Sequence, residues 1–386
     1  MSLRPIHAAR ARVYQTLRTA HLERAHEFAP AAILFTSRRY DFDERLLAGL
    51  EVVQAGRWRS AGILVRSRVR ELEVNEPLML SGARGAALAV SAVRLKAAIT
   101  GRRALVVCYA IGNEDPRRLP PSRSLRQRLS HRADVALGRA VWRRLDRVAY
   151  GSDAARAVYA SLMPPRDDLE SRVIPALPNP CPCAAGVVRP QRVVFLGAFA
   201  ERKGFPILLA AWSAVRAELP DATLVLLGTG PLTGLAEAAA AEDPRIELIV
   251  DPTREEIHRE LAAASVLALP SQPAVGWREQ IGLPIVEGLA HGCTVITSTE
   301  TGLADWLAEA GHGVLQVPTS AGALASALAG ALRRPIAPAS VLTSLPEVDG
   351  RLAADSWLFG GAEPSGAGAE TRDVGAEAGD ARAAPA

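Results

Sequence analysis

Two doubly wound α/β domains facing each other across a ligand cleft are predicted for this 386-residue chain by three observations. Short β-branched runs alternate with helical stretches of about a dozen residues, the pattern of a parallel sheet flanked by helices. The alternation breaks once, at "PNPCPCAAGVVRP" (178–190), which holds four prolines and no hydrophobic period, and then restarts. The length suits two domains, and two such domains place their default site in the cleft between them.

In the first half, "AAILF" (31–35) is expected to be the first strand, "DERLLAGLEVVQA" (43–55) a helix and "AGILV" (61–65) a strand. "ELEVNEPLML" (71–80) follows, then a helix over 83–99 and a strand at 104–110. An arginine-rich helix, "DRVAYGS" (146–152), a short helix from Asp153 and "RVIPALP" (172–178) complete this half. In the second half, strands are expected at 192–198, 222–228, 245–250, 265–271, 294–298 and 313–318. Helices are expected at 206–219, 232–241, 254–264, 283–292, 302–310 and 321–333. The boundaries are therefore 1–180 for a first domain, 181–190 for a stiff linker and 191–335 for a second domain. Residues 336–386 form a C-terminal extension, expected to be largely disordered from about residue 360, where Ala, Gly and Glu dominate.

No run is long and apolar enough for a membrane span, and the amino terminus is too polar for a secretory signal, so a cytoplasmic location is expected. Four cysteines fit a reducing compartment. Cys181 and Cys183 form a C-x-C, but no second Cys or His pair follows at zinc-like spacing, so the linker reading is preferred and no metal is expected. Charge is divided unevenly: residues 1–190 carry 32 basic and 17 acidic side chains, residues 191–386 carry 13 and 24. The basic excess gathers at 117–147, where Val135, Leu137, Val141 and Leu145 alternate with arginines. Such a helix suits an anionic membrane surface, or is simply a solvated face. Aromatic residues are sparse there and no nucleic-acid motif accompanies the charge, so nucleic acid is not expected as a partner. "DFD" (41–43) opens an expected helix, where acidic residues belong, and is not read as a metal site.

Three features could carry chemistry. The first is "GAFAERKG" (197–204), a strand end followed by a glycine turn and the cationic pair Arg202 and Lys203. Only two of the 45 Lys and Arg residues are lysines, so a lysine here is unusual. Gly197 allows a close backbone approach and Lys203 offers a compact charge for phosphate oxygens, although an exposed lysine at a helix start is commoner. The second is "LVLLGTGP" (224–231), with Gly228 and Gly230 after a strand; it lacks the full dinucleotide fingerprint. The third places Glu279 and Glu287 with seven residues between them, Gly282 and Pro284 included. A helix beginning near Leu283 would turn its free N–H groups to the cleft and could hold a diphosphate, with each glutamate beside a polyol. Two ordinary glutamates near a helix N-terminus, stabilised there by up to about 1 kcal/mol, explain the spacing equally.

Taken in order, "GAFAERKG", "GTGP", "PS", "EQIGLPIVEGLAHG" and the "TG" of "TETG" make residues 192–332 resemble the donor domain of family 4 retaining glycosyltransferases, the group 1 type with the GT-B fold. The resemblance implies that Lys203 contacts the donor diphosphate, with Arg202 as its companion. It implies Glu279 against the donor sugar and Glu287 on the ribose. Backbone N–H groups of Ile281, Gly282 and Leu283 would cradle the phosphates. It also implies metal-independent transfer of a sugar from a nucleoside-diphosphate sugar to a glycan or lipid-linked acceptor, in cell-envelope or exopolysaccharide synthesis at the inner membrane face. No cofactor beyond the donor is implied. Epimerase and phosphorylase chemistry fit less well: the first lacks its basic and acidic residues, the second its cofactor lysine.

Four features depart from the family pattern. Ala198 stands where many relatives have arginine. "FTSRRYDFDERL" (35–46) takes the place of a glycine-rich loop, and "IGNED" (111–115) that of a histidine. A final helix crossing back to the first domain is hard to find in "LAADSWLFG" (352–360). Ala198 and the altered loop motivate the alternative, a catalytically silent nucleotide-sugar-binding subunit of another transferase.

Overall fold

The computed structural model describes residues 6–39, 42–116, 124–185 and 190–360. Two wholly parallel sheets are present, of seven and six strands. The first runs β3-β2-β1-β4-β5-β6-β7, with β1 Arg10–Leu17, β2 Ala32–Arg38, β3 Val52–Gln54, β4 Glu71–Val74, β5 Leu105–Ala110, β6 Arg147–Tyr150 and β7 Glu170–Val173. The second runs β10-β9-β8-β11-β12-β13, with β8 Arg192–Leu196, β9 Thr223–Gly228, β10 Ile246–Val250, β11 Val266–Leu269, β12 Thr294–Ser298 and β13 Gly313–Leu315. Strand order reverses between β1 and β4 in one sheet and between β8 and β11 in the other. In open parallel sheets, ligands bind at such a reversal, beyond the carboxyl ends of the strands.

The second sheet and its helices follow the sequence pattern element by element. These helices are α6 Phe205–Glu218, α7 Thr233–Glu242, α8 Arg254–Ala263, α9 Leu283–Ala290, α10 Ala304–Glu309 and α11 Ala321–Arg333. Their apolar faces close over strands that are buried along their length, β8, β11 and β12 above all. A strand covered on both faces reads as a continuous apolar run, which is why these were legible.

The first domain departs from expectation in three places. The strand at 31–35 is the second, because the central strand β1 precedes it. β1 carries Arg10 and Arg12, which a pattern reader takes as solvent-facing, yet Arg12 is 2% exposed. The segment 43–55 is a 3-10 turn, Glu44–Leu47, followed by the edge strand β3. "AGILV" lies inside a helix, α2 Arg57–Arg66, which buries Ser60, Ile63 and Leu64 at helical spacing. The other helices, α1 Thr19–Glu27, α3 Ala83–Thr100, α4 Leu125–Trp142 and α5 Asp153–Leu162, complete the layers. Asp43 caps the 3-10 turn by accepting from the Arg45 N–H at 2.9 Å; Asp41 lies outside the described residues.

After α11 the chain forms α12 Pro338–Thr343 and then α13 Gly350–Leu358, within the stretch where a returning helix was hard to find. α13 does return: Ala354 and Leu358 pack on Val107, Tyr109 and Ala149 of the first sheet. The Gly350 N–H donates to the Leu177 carbonyl at 2.9 Å, so the two crossings between domains touch. α13 is held by a buried ion cluster. Arg12 contacts Glu73, its neighbour on β4, and Asp355 of α13 at 2.6 Å, while Arg351 lies 3.8 Å from Glu73. The stretch from 361 onward lies outside the described residues. Among those described, no helix is long and apolar enough to cross a membrane.

His312, 6% exposed, accepts from the Val295 N–H through Nδ1 at 3.1 Å, and burial lowers its pKa to about 4. The unfolded chain, with its histidines near 6.5, takes the proton first, so stability falls as pH drops from about 6.5 toward 4. This one group is expected to remove about 2 kcal/mol between pH 7 and pH 5. His312→Asn keeps an acceptor at the same place without titrating. Denaturant melts of both proteins at the two pH values should show the smaller acid loss in the variant.

Candidate functional site

The carboxyl ends of β8, β9 and β11 and the amino end of α9 meet on the side of the second domain that faces the first. β8 ends at Gly197, whose neighbour β9 ends at Gly228, and both have positive φ (142° and 147°). A Cβ on Gly228 would lie 1.9 Å from the Gly197 carbonyl oxygen, so this turn admits no side chain. Gly230 lies against the backbone of Phe199, whose N–H donates to the Thr229 carbonyl. The chain then passes through a short turn, Glu201–Lys203, to Gly204 (φ 69°), where a Cβ would strike the Pro270 carbonyl oxygen at 2.0 Å. That close approach of the turn to the end of β11 aims the lysine before Gly204 across the site.

Lys203 and Glu279, separated by 76 residues, meet there in a direct ion pair with side chains 12% and 10% exposed. Ser271, just beyond β11, donates its hydroxyl to the same Glu279 oxygen at 2.9 Å. Trp277 lies beside them, with the Lys203 ammonium 5.2 Å and the Arg202 guanidinium 4.7 Å from its ring centroid. Arg202 thus stacks on an aromatic face while Lys203 takes the carboxylate. Gly282 (φ 84°) is the N-cap of α9; Pro284 occupies its first turn, where a missing N–H costs nothing. Ile281 is buried and Leu283 half open to solvent. Glu287, in the second turn of α9, is engaged by Arg254 at the start of α8, away from the Lys203 pair's hydrogen bonds.

The first domain closes over this site through Asn113, in the loop after β5. Its side-chain amide donates to the Glu279 carbonyl at 3.0 Å and to the Glu300 carbonyl at 3.3 Å. Two carbonyl partners require Nδ2 on that side, which leaves Oδ1 buried with no hydrogen-bond partner. Arg278 ties the same corner, donating to Glu300 at 3.1 Å and to the Asn113 carbonyl at 3.2 Å. Asn113 stands in "IGNED", the stretch that lacks a histidine; Ser271 belongs to the "PS" motif, Arg254 opens α8, and Trp277 lies in the loop just before Glu279. Asn113, Arg254 and Trp277 acquire their partners only through long-range contacts, whereas Ser271 reaches Glu279 eight residues on, across a loop whose path the sequence pattern does not show. β1, the first strand among the described residues, is followed directly by Arg18, the N-cap residue of α1, whereas "FTSRRYDFDERL" starts inside β2 and ends in the 3-10 turn.

Comparison with known proteins bears on the family and the fold. Residues 190–334 match the family described as glycosyl transferases group 1. No curated protein matches the chain by sequence. Among solved structures, the chain is similar to WaaG, a glycosyltransferase involved in lipopolysaccharide biosynthesis: 16% identity, 91% of this chain and 100% of that one, TM-score 0.59. It is similar to HepE of Anabaena in complex with UDP, at 15% identity, 91% and 95% coverage and TM-score 0.60. WaaB, a lipopolysaccharide outer core galactosyltransferase, aligns at 11% identity over 91% and 99% of the two chains, TM-score 0.57. At such identities these structures establish the shared fold. Residues 190–334 therefore match the group 1 glycosyltransferase model, and the whole chain has the two-domain GT-B fold.

Proposed function

We propose that this chain is a metal-independent, retaining glycosyltransferase that moves a sugar from a nucleoside-diphosphate donor to a glycan or lipid-linked acceptor held by the first domain. The observation that carries the reading is the convergence of Lys203, Ser271 and Glu279 beside the amino end of α9. The backbone N–H groups of Ile281, Gly282 and Leu283 at the amino end of α9 and the Lys203 ammonium suit a diphosphate, whose negative charge grows as the sugar bond breaks. Glu279 then orients Lys203 and borders the sugar, and Glu287 with Arg254 borders the ribose. The unpartnered Asn113 Oδ1 is an acceptor for a sugar hydroxyl. In a retaining transfer the acceptor hydroxyl approaches on the leaving-group face, where it can pass its proton to the departing phosphate.

The test is binding and slow hydrolysis of UDP-, GDP-, ADP- and TDP-sugars by the wild type, Lys203→Ala and Glu287→Ala. Cleavage of one donor, lost in Lys203→Ala and weakened in Glu287→Ala through donor binding, is the expected result. Binding without cleavage under any acceptor supports the silent subunit instead; no binding removes both readings.

Envelope-glycan synthesis at an anionic membrane surface is part of the proposal. It is supported by α4, where Leu125 and Leu129 are 73% and 57% exposed among Arg126, Arg128 and Arg132. Residues 117–123, the start of the basic stretch, lie outside the described residues. Flotation with phosphatidylglycerol vesicles should carry the protein upward, with salt and Leu125→Glu/Leu129→Glu each abolishing it. Unchanged sedimentation of the wild type removes the membrane part alone.

A further inference from the structure

The linker's C-x-C, read from sequence as lacking ligand partners, acquires two histidines in the fold. Among the described residues, Cys181, Cys183, His258 and His291 place one ligand atom each within 4.8 Å of one another. Cys183 Sγ lies 3.4 Å from His258 Nδ1 and 3.2 Å from His291 Nε2. Cys181 Sγ lies 3.7 Å from His258 Nδ1, and the two ring nitrogens are 3.0 Å apart. We propose that these four side chains form a structural zinc site that fastens the interdomain linker to the second domain.

Tetrahedral zinc with its usual bond lengths sets sulfur and nitrogen ligands about 3.5 Å apart and two nitrogens about 3.3 Å apart. The three sulfur–nitrogen separations bracket the first value and the nitrogen–nitrogen separation is slightly under the second, while the two sulfurs, in contact here, would move apart to about 3.8 Å around the ion. Two thiolates and two imidazoles form a common closed zinc set, soft enough to prefer zinc over magnesium or calcium. Two thiolate charges balance Zn²⁺, so the half-buried site is neutral overall, with the two thiol protons released to solvent on binding. The surroundings select the right histidine tautomer: His291 Nδ1–H donates to the Glu287 carbonyl at 2.7 Å, which leaves Nε2 free to ligate. The Cys181 N–H donates to the Ala290 carbonyl at 2.8 Å, which seats the linker on the last residue of α9. His258 comes from the middle of α8 and His291 from the C-cap of α9, so the ion would join three segments. Four protein ligands leave no open coordination position, hence a structural role, distinct from the diphosphate site at the opposite end of α9. Cys183 is exposed and gives the ion a route from solvent.

The two cysteine sulfurs are in contact, so the competing outcome is an oxidised pair. Full-length protein, purified reduced and without chelator from zinc-supplemented culture, should carry one zinc per chain by elemental analysis. Replacement by Co²⁺ should give a thiolate charge-transfer band. Cys183→Ser and His258→Ala should each weaken the metal by more than the roughly 100-fold lost with an outer partner, and abolish the band. Should a variant fail to fold, the wild type alone decides: a strong chelator should lower its melting temperature by several degrees, and zinc should restore it. Metal-free reduced protein that binds no Co²⁺ overturns the proposal. So does a Cys181–Cys183 disulfide found by mass spectrometry after reducing purification, or full zinc retained in both variants.

Discussion

Lys203→Ala is expected to slow donor cleavage by about 100- to 1,000-fold, the loss that follows removal of one preorganised group at a developing negative charge. Lys203 is held in place by Glu279 and over Trp277 before any ligand arrives, so little reorganisation is needed when the diphosphate forms. Lys203→Arg is expected to recover little, because a planar fork cannot replace a compact ammonium between Glu279 and a phosphate. Truncating the lysine also leaves the Glu279 carboxylate, 8% exposed as a residue, without its cation, which destabilises the fold by itself. The double variant Lys203→Met/Glu279→Gln separates the two effects. Its melting temperature should return toward the wild type while cleavage stays lost. Recovery of cleavage along with stability would show that Lys203 acts only in packing.

The second large effect is structural. Asp355→Ala is expected to cost about 3–5 kcal/mol in denaturant unfolding, the penalty for breaking a buried ion pair from one side. Arg12 is almost fully enclosed, against the Phe28 ring at 4.5 Å and between Glu73 and Asp355, so water cannot replace the lost carboxylate. Because Asp355 belongs to α13, the loss should appear first as faster amide exchange and proteolysis between 350 and 360. The combined Arg12→Met/Glu73→Leu/Asp355→Leu variant removes every strong partner at once and should restore much of the stability, since apolar packing can match a buried ionic cluster. The neighbouring Arg10 and Arg351, at 3.6 Å from Asp355 and 3.8 Å from Glu73, stay near solvent and can find other partners. A loss under 1 kcal/mol in Asp355→Ala would mean that α13 docks through Ala354 and Leu358 alone.

Legibility differed between the halves for a physical reason. β8, β9, β11 and β12 are buried on both faces, and apolar runs such as "VLAL" and "LVLLG" announce themselves. β1 breaks that rule, because Arg12 faces an interior that supplies Glu73 and Asp355. Without knowledge of those partners, an arginine in a short strand reads as surface. The mistaken helix at 43–55 and strand at 61–65 follow from the same limit. Local runs of Leu and Val there fit either period, and the choice was made by packing on the sheet. His258 and His291 show the limit most plainly, since no spacing rule connects them to a C-x-C 75 and 108 residues away.

By itself, the sequence determined the α/β class, the strands and helices of the second domain and the motif order that resembles the group 1 glycosyltransferases. These are local properties: periodicity, turn glycines and spacing within one loop. Only the tertiary structure decided that Lys203 meets Glu279, that Asn113 reaches across from the first domain, that α13 returns onto β5 and β6, and that two cysteines stand beside two histidines. Each of these is a contact across tens to hundreds of residues, made by strand order and crossover and therefore written in no local stretch of chain.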